Sequence, residues 1–126
     1  MIFCIECQSD VEAAHIQGVD AYPHRPDLAR KNFWQCPSCK NFVGTHKNGD
    51  SMTPLGCIPN RKMKSIRMQI HSVIDPIWKT RKLSRSEVYK RISEKIGYEY
   101  HTGEIKSIPE ANRIFVLVQE MARGLG

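Results

Sequence analysis

The sequence predicts an α+β fold, with small β hairpins in its N-terminal part and three to four α-helices after them. Three observations carry that reading. Two Cys-x-x-Cys pairs, Cys4-Ile5-Glu6-Cys7 and Cys36-Pro37-Ser38-Cys39, stand in the first third of the chain with 28 residues between them. Short strand-like runs, "NFWQC" and "KNFVGT", flank the second pair. After "TPLGCIP" the apolar residues change to three- and four-residue steps, the period of a helix face.

The composition is that of ordinary globular material, 40% hydrophobic and 25% charged over 126 residues, which suits one domain or two small modules. Aromatics make up only 8%, so any single core is modest and the N-terminal part gains from an extra staple. No run reaches the length of a membrane span. The start "MIFCIECQSD" lacks the basic flank and apolar stretch of a signal peptide, so an intracellular location and no membrane partner are expected. In a reducing compartment the five cysteines read as metal ligands or free thiols sooner than as disulfides.

Two residues between cysteines let a tight turn present both sulfurs to one ion, and a second such turn completes a tetrahedron of four thiolates around zinc. Cys4, Cys7, Cys36 and Cys39 are therefore the expected ligands of one structural Zn2+. A redox reading would need a strand–motif–helix context, which neither pair has. The spacer exceeds the usual 15 to 20 residues of a four-cysteine ribbon; "VEAAHIQGVDAYP", with Gln17-Gly18 at its middle, suggests a short hairpin that takes up the excess. The result is a zinc-ribbon-like module over residues 1–56, in which the metal supplies folding energy that so few apolar residues cannot. With all four positions taken by protein, no site is left open for water or substrate, and the zinc is structural. Cys57, His15, His24, His46 and His71 are outsiders as ligands. His46 lies seven residues along a strand from Cys39, and Cys57 reads as a packed thiol.

"YPHRPDL", from Tyr22 to Leu28, is a stiff segment, because each proline fixes its own φ and holds the residue before it extended. Arg25 and Asp27 are expected to lock the loop by hydrogen bonds while Tyr22 packs below. The alternative is ligand contact by His24 and Arg25. A catalytic His24–Asp27 pair would lack any nucleophile, second metal or oxyanion donor, so enzyme activity is left open with no catalytic residue assigned.

"YPHRPDL", "FWQCPSC", "FVGTH", "PLG", "IDPIWK", "SRSEVYKRISEKIG" and "HTGEI", in that order, resemble a phage and bacterial family of zinc-finger-containing domain proteins over most of the chain. The resemblance implies zinc binding by Cys4, Cys7, Cys36 and Cys39 and a phage or prophage setting, hence the cytoplasm of a bacterial host; it implies no particular activity. Gln8 and Lys40 stand where many zinc knuckles carry the glycine that eases a left-handed turn.

Residues 57–126 read as a basic helical module, expected to pack with the first as one unit. Met63, Ile66, Ile70, Val73, Ile74 and Ile77 share a helix face after Asn60, a suitable N-cap. Asp75-Pro76 should kink this helix, or stop and restart it. Ser84 and Glu87 have capping-box spacing, Val88, Ile92 and Ile96 form the next apolar face, and Gly97 is the stop. Ser107, Pro109 and Glu110 open a last helix burying Ala111, Ile114, Phe115, Val118 and Met121.

Charge is uneven. Residues 1–56 hold five Lys/Arg against six Asp/Glu, whereas residues 61–95 hold eleven against three. Such concentration is the footprint of a polyanion binder, although many basic helices are only solvated faces. Arg61, Lys62, Lys64, Arg67, Lys79, Arg81, Lys82 and Arg85 are the candidate phosphate contacts. They form a continuous face if the helices pack antiparallel. Trp34, Phe33 and Tyr22 would either stack on unpaired bases or form the knuckle's own small core. Nucleic acid, DNA or RNA, is the expected partner, and no base-reading motif accompanies the zinc site. The rival reading is a phage-type interaction module that docks on or inhibits a host protein.

Overall fold

The first cysteine pair occupies the tip of a hairpin. Strand β1 (Ile2–Cys4) runs antiparallel to β2 (Ser9–Val11), with Ile2 opposite Val11 and Cys4 opposite Ser9. The second pair sits likewise between β4 (Asn32–Gln35) and β5 (Phe42–Gly44), where Trp34 faces Val43. A strand before them, β3 (Ala14–Gln17), adds to the outer edge of β4 to make a three-stranded antiparallel sheet, order β3-β4-β5. This computed structural model describes residues 1–46 and 52–125, and the chain divides into two units, Met1–Asn60 and Arg61–Gly126.

The zinc-ribbon reading holds, but the strand pairing near Gln17 differs from the expectation. Gln17-Gly18 does not turn a hairpin. Gly18 opens a one-turn helix, α1 (Gly18–Ala21), and the chain returns through a 3-10 turn at Pro26–Leu28 to β4. Gly18 N–H donates to the Lys31 carbonyl at 2.8 Å, closing the excursion at its neck. Glycine is required there because an added Cβ would lie 1.6 Å from the Leu28 backbone oxygen. A glycine in a period-2 pattern marks close backbone approach as readily as a turn, and here close approach won.

The segment before Asn60 belongs to this first unit. Ile58 is fully buried and bridges Cys4 in parallel; Ile5 N–H donates to the Ile58 carbonyl at 2.9 Å, and Ile58 N–H to the Phe3 carbonyl at 2.8 Å. Cys4, Cys36, Val43 and Ile58 form the buried core, with Ile2, Val11, Ala13, Trp34 and Cys39 packed round it. A second cluster is aromatic. Tyr22 meets Phe33 and Phe42 edge-on at 5.7 and 5.3 Å, and Phe33 meets Phe42 at 5.5 Å.

The second unit is helical: α2 (Arg61–Lys79), α3 (Arg85–Ile96) and α4 (Ile108–Leu125), with α2 and α4 both packing on α3 and on each other. Met63, Ile66, Ile70, Ile74 and Ile77 of α2 are buried, as the three- and four-residue steps require. Of the expected α4 residues, Ala111, Ile114, Val118 and Met121 are buried, while Phe115 is half-buried at the edge of the stripe. Asp75-Pro76 does not end α2, which runs on to Lys79 with Pro76 inside it. Asp75 Oδ1 accepts from His71 Nδ1 one turn before and from Trp78 Nε1 after it, both at 3.2 Å, so its side chain brackets the backbone bond that proline removes. α3 begins as expected: the Ser84 hydroxyl oxygen accepts from Glu87 N–H at 3.1 Å, and Gly97 at φ 86° caps the end.

Candidate functional site

Each knuckle takes its shape from one left-handed residue. Gln8 (φ 51°) follows Cys7 and Lys40 (φ 67°) follows Cys39, the two positions where the sequence lacks the customary glycine. Gln8 offsets part of that strain, since its side-chain amide donates to the Ile5 carbonyl at 2.7 Å. In the second knuckle Lys40 N–H donates to the Cys36 carbonyl at 3.0 Å and Cys36 N–H to the Asn41 carbonyl at 2.8 Å.

These turns bring the four sulfurs together. Cys4 Sγ lies 3.5 Å from Cys39 Sγ, Cys7 Sγ lies 3.7 Å from Cys36 Sγ, and all four fall within 4.8 Å of one another. Tetrahedral zinc with Zn–S bonds of about 2.3 Å separates its sulfurs by about 3.8 Å, whereas a disulfide needs about 2.05 Å. The four thiols are unbridged and set as a site for one zinc ion. Among the described residues no other metal-ligand cluster forms, and the outsiders lie elsewhere. Cys57 is a buried thiol, His15 bonds Asn32 Oδ1 at 2.8 Å, His71 bonds Asp75, and His24 is exposed.

The site is electrically uneven. Burial pushes the Cys4 thiol up to about 12. At Cys36 burial acts in the same direction, but the backbone N–H groups of Cys39 and Ser38 outweigh it and hold the thiol at about 7. The turn that carries Cys36 thus favours its thiolate, while burial disfavours that of Cys4. Four thiolates on Zn2+ leave a formal charge of −2 and no vacant position, so the metal organises structure and has no place for a reacting molecule.

In the proline loop, Arg25 Nε and Nη2 donate to Asp27 Oδ1 and Oδ2 at 2.9 and 2.8 Å, a bidentate pair in solvent. The hydrogen bond from Arg25 holds the Asp27 carboxyl below its usual range. Asp27 is therefore turned to Arg25 and not to His24. Tyr22 packs beneath, in the aromatic cluster. The aromatics considered for base stacking serve the core: Phe33 is buried, Tyr22 lies against it, and Trp34 donates its indole N–H to the Met52 carbonyl at 2.7 Å.

The candidate basic residues fall into two groups. Arg61, Lys62 and Lys64 are exposed on the first turn of α2, and Arg67 is half-buried with Nη2 donating to the Gly103 carbonyl at 2.8 Å. Lys79 lies eighteen residues on from Arg61, about 27 Å along the helix. The exposed residues between, Ser65, Met68, Gln69, Ser72 and Pro76, are uncharged. On α2 itself the basic residues therefore form two patches.

The second patch is the denser. Lys79, Arg81, Lys82 and Arg85 crowd the connection from α2 to α3, all exposed and none ion-paired among the described residues. A Schellman turn builds it: Lys82 N–H donates to the Ile77 carbonyl at 3.1 Å, and Arg81 N–H to the Trp78 carbonyl at 3.2 Å. Arg81 takes the left-handed position, φ 62°, where glycine is usual. Two aromatics join this corner: Trp78, to which the sequence assigns no role, and Tyr89, which it places only beside the apolar face of α3. Arg85 Cζ lies 5.9 Å from the Trp78 ring and 5.6 Å from the Tyr89 ring, and Lys79 Nζ is 5.7 Å from the Trp78 ring. Trp78 beside Lys79 within a basic run was the available signal.

A family model for a zinc-finger-containing domain matches residues 1–123. No curated protein and no solved structure matches the chain. Among the described residues no helix is long and apolar enough to cross a membrane.

Proposed function

The chain belongs to the zinc-finger-containing domain family, and from the distribution of charge on its helical unit we propose that this structural-zinc protein binds nucleic acid, DNA or RNA, through the basic face of that unit. The observation that carries this reading is the α2–α3 corner, where four exposed cations gather and none forms a salt bridge among the described residues. Arg81 supports it further: a cation occupies a backbone position at which glycine costs less. Arg61, Lys62, Lys64 and Arg67 supply a second, separate basic patch at the start of α2. The proposed setting is the cytoplasm of a bacterial host, from a phage or prophage gene, where reducing conditions keep the zinc thiols available.

Titration of a labelled oligonucleotide at several salt concentrations tests the proposal. About four phosphate contacts from the corner give a log–log salt slope of roughly −3 to −4, and Lys82→Ala lowers its magnitude by about one. Negligible affinity for both DNA and RNA at low salt would refute it.

A second reading, a module that docks on a host protein, draws on a cleft of about 520 Å3 in the zinc unit lined by Met1, Ile2, Glu12, Ala13, Trp34, Met52 and Pro54. Saturable binding of a purified host protein that survives nuclease treatment and is lost in Trp34→Ala would favour it.

A further inference from the structure

We propose that the corner between α2 and α3 seats one unpaired nucleobase, with Trp78 and Tyr89 as ring platforms, so that the protein prefers single-stranded to double-stranded nucleic acid. The inference rests on the nucleic-acid reading above and adds a strand preference to it.

The rings are held in place but not enclosed. Trp78 is half-buried, and its indole N–H is fixed on Asp75 Oδ1 at 3.2 Å, which sets the plane of the ring from within α2. Tyr89, also half-buried, is braced edge-on by Tyr100 at 5.3 Å. Each ring also has an exposed cation beside it. The Arg85 guanidinium stands within 6 Å of both rings, and the Lys79 ammonium near that of Trp78. A core aromatic is normally met by apolar atoms. A ring face met by an exposed, solvated cation is one that a flat ligand can take.

An exposed cation over a ring is a weaker contact than a base stacked on it. An incoming base therefore displaces Arg85 from ring to phosphate, so both the ring and the charge gain a partner. Arg81 and Lys82, on the same turn, are left to follow the sugar-phosphate chain. In a duplex each base face is covered by its neighbours, so the corner meets only phosphates there and the rings contribute nothing.

The test compares a thymidylate oligomer of about 12 nucleotides with a duplex of equal phosphate number at one salt concentration, using the full-length zinc-loaded protein. The single strand is expected to bind at least about tenfold tighter. Trp78→Ala should remove most of that margin and leave duplex affinity within about twofold, while Trp78→Phe should retain much of it. A second measurement leaves the corner untouched: in Trp34→Phe protein the remaining indole is Trp78, and its emission should be quenched as the oligomer saturates. Equal affinity for the two forms, or saturation without quenching, overturns the stacking seat while the nucleic-acid reading stands. Binding to neither form overturns both.

Discussion

Among the described residues three other than glycine hold left-handed backbone, Gln8, Lys40 and Arg81, and each ends a turn that something else depends on. At Gln8 and Lys40 the dependent object is a pair of sulfurs; at Arg81 it is the basic corner. Left-handed backbone costs a side-chain-bearing residue about 1 kcal/mol relative to glycine. Arg81→Gly should therefore raise the stability of the helical unit by up to about 1 kcal/mol in urea denaturation, while weakening oligonucleotide binding and reducing the magnitude of its salt slope by about one. A fall in stability would show that the Arg81 side chain holds the turn through contacts of its own.

At the scale of elements, α1 depends on a missing side chain and α2 on a carboxylate. Gly18→Ala drives a methyl group into the Leu28 carbonyl, which is backbone and cannot step aside. The zinc unit should lose about 3 kcal/mol, read as a lower melting temperature of the zinc-loaded protein with α2 to α4 unaffected. Asp75 is held below its usual carboxyl range: burial pushes it upward, but the hydrogen bonds from His71 and Trp78 prevail. Because the folded form holds the proton less tightly than the unfolded form, stability from Asp75 is complete above the ordinary carboxyl value of about 4. It is lost as pH falls below that value through the depressed one. Asp75→Asn should cost about 1 kcal/mol at neutral pH, and the gap between the two proteins should close in pH-dependent urea melts as pH falls below the ordinary carboxyl value and through the depressed one. A difference that persists there would mean the loss is one of packing.

These elements also show what the sequence makes legible. The four ligands, the two knuckle positions needing left-handed backbone, and the buried stripes of α2 and α3 follow from spacing, because each depends on residues a few places apart. Gly18 was misplaced because its constraint, the Leu28 carbonyl, comes from a return segment that no local pattern reveals. Pro76 was ambiguous because what carries α2 past it is a side-chain bracket between His71 and Trp78. Trp78 and Tyr89 are not legible as a pair because they lie on different helices and are linked only through the Arg85 guanidinium, which stands within 6 Å of both rings.

For the whole molecule, each unit has its own core, and only the first contains the metal site. Chelation should therefore divide the protein functionally. Removing zinc with a strong chelator is expected to abolish near-ultraviolet dichroism from the Trp34 and Tyr22 region and to leave most of the helical far-ultraviolet signal, since the zinc free energy is folding energy for Met1–Asn60 alone. Nucleic-acid binding by the helical corner should largely survive the same treatment. Parallel loss of both spectra would mean that the second unit cannot stand without the first.

Both cysteine pairs sit at hairpin tips, β1–β2 and β4–β5, so the ion is gripped by two short turns and never senses the length of peptide running between them. The exposed stretch from Pro23 to Asp27 is thus free to lengthen or change composition, at a closure cost that rises by only about 0.6 kcal/mol for each doubling. Cutting that stretch would unlink the jaws without altering either bite. A metal centre built this way leaves a surface loop open to variation while its own geometry stays the same.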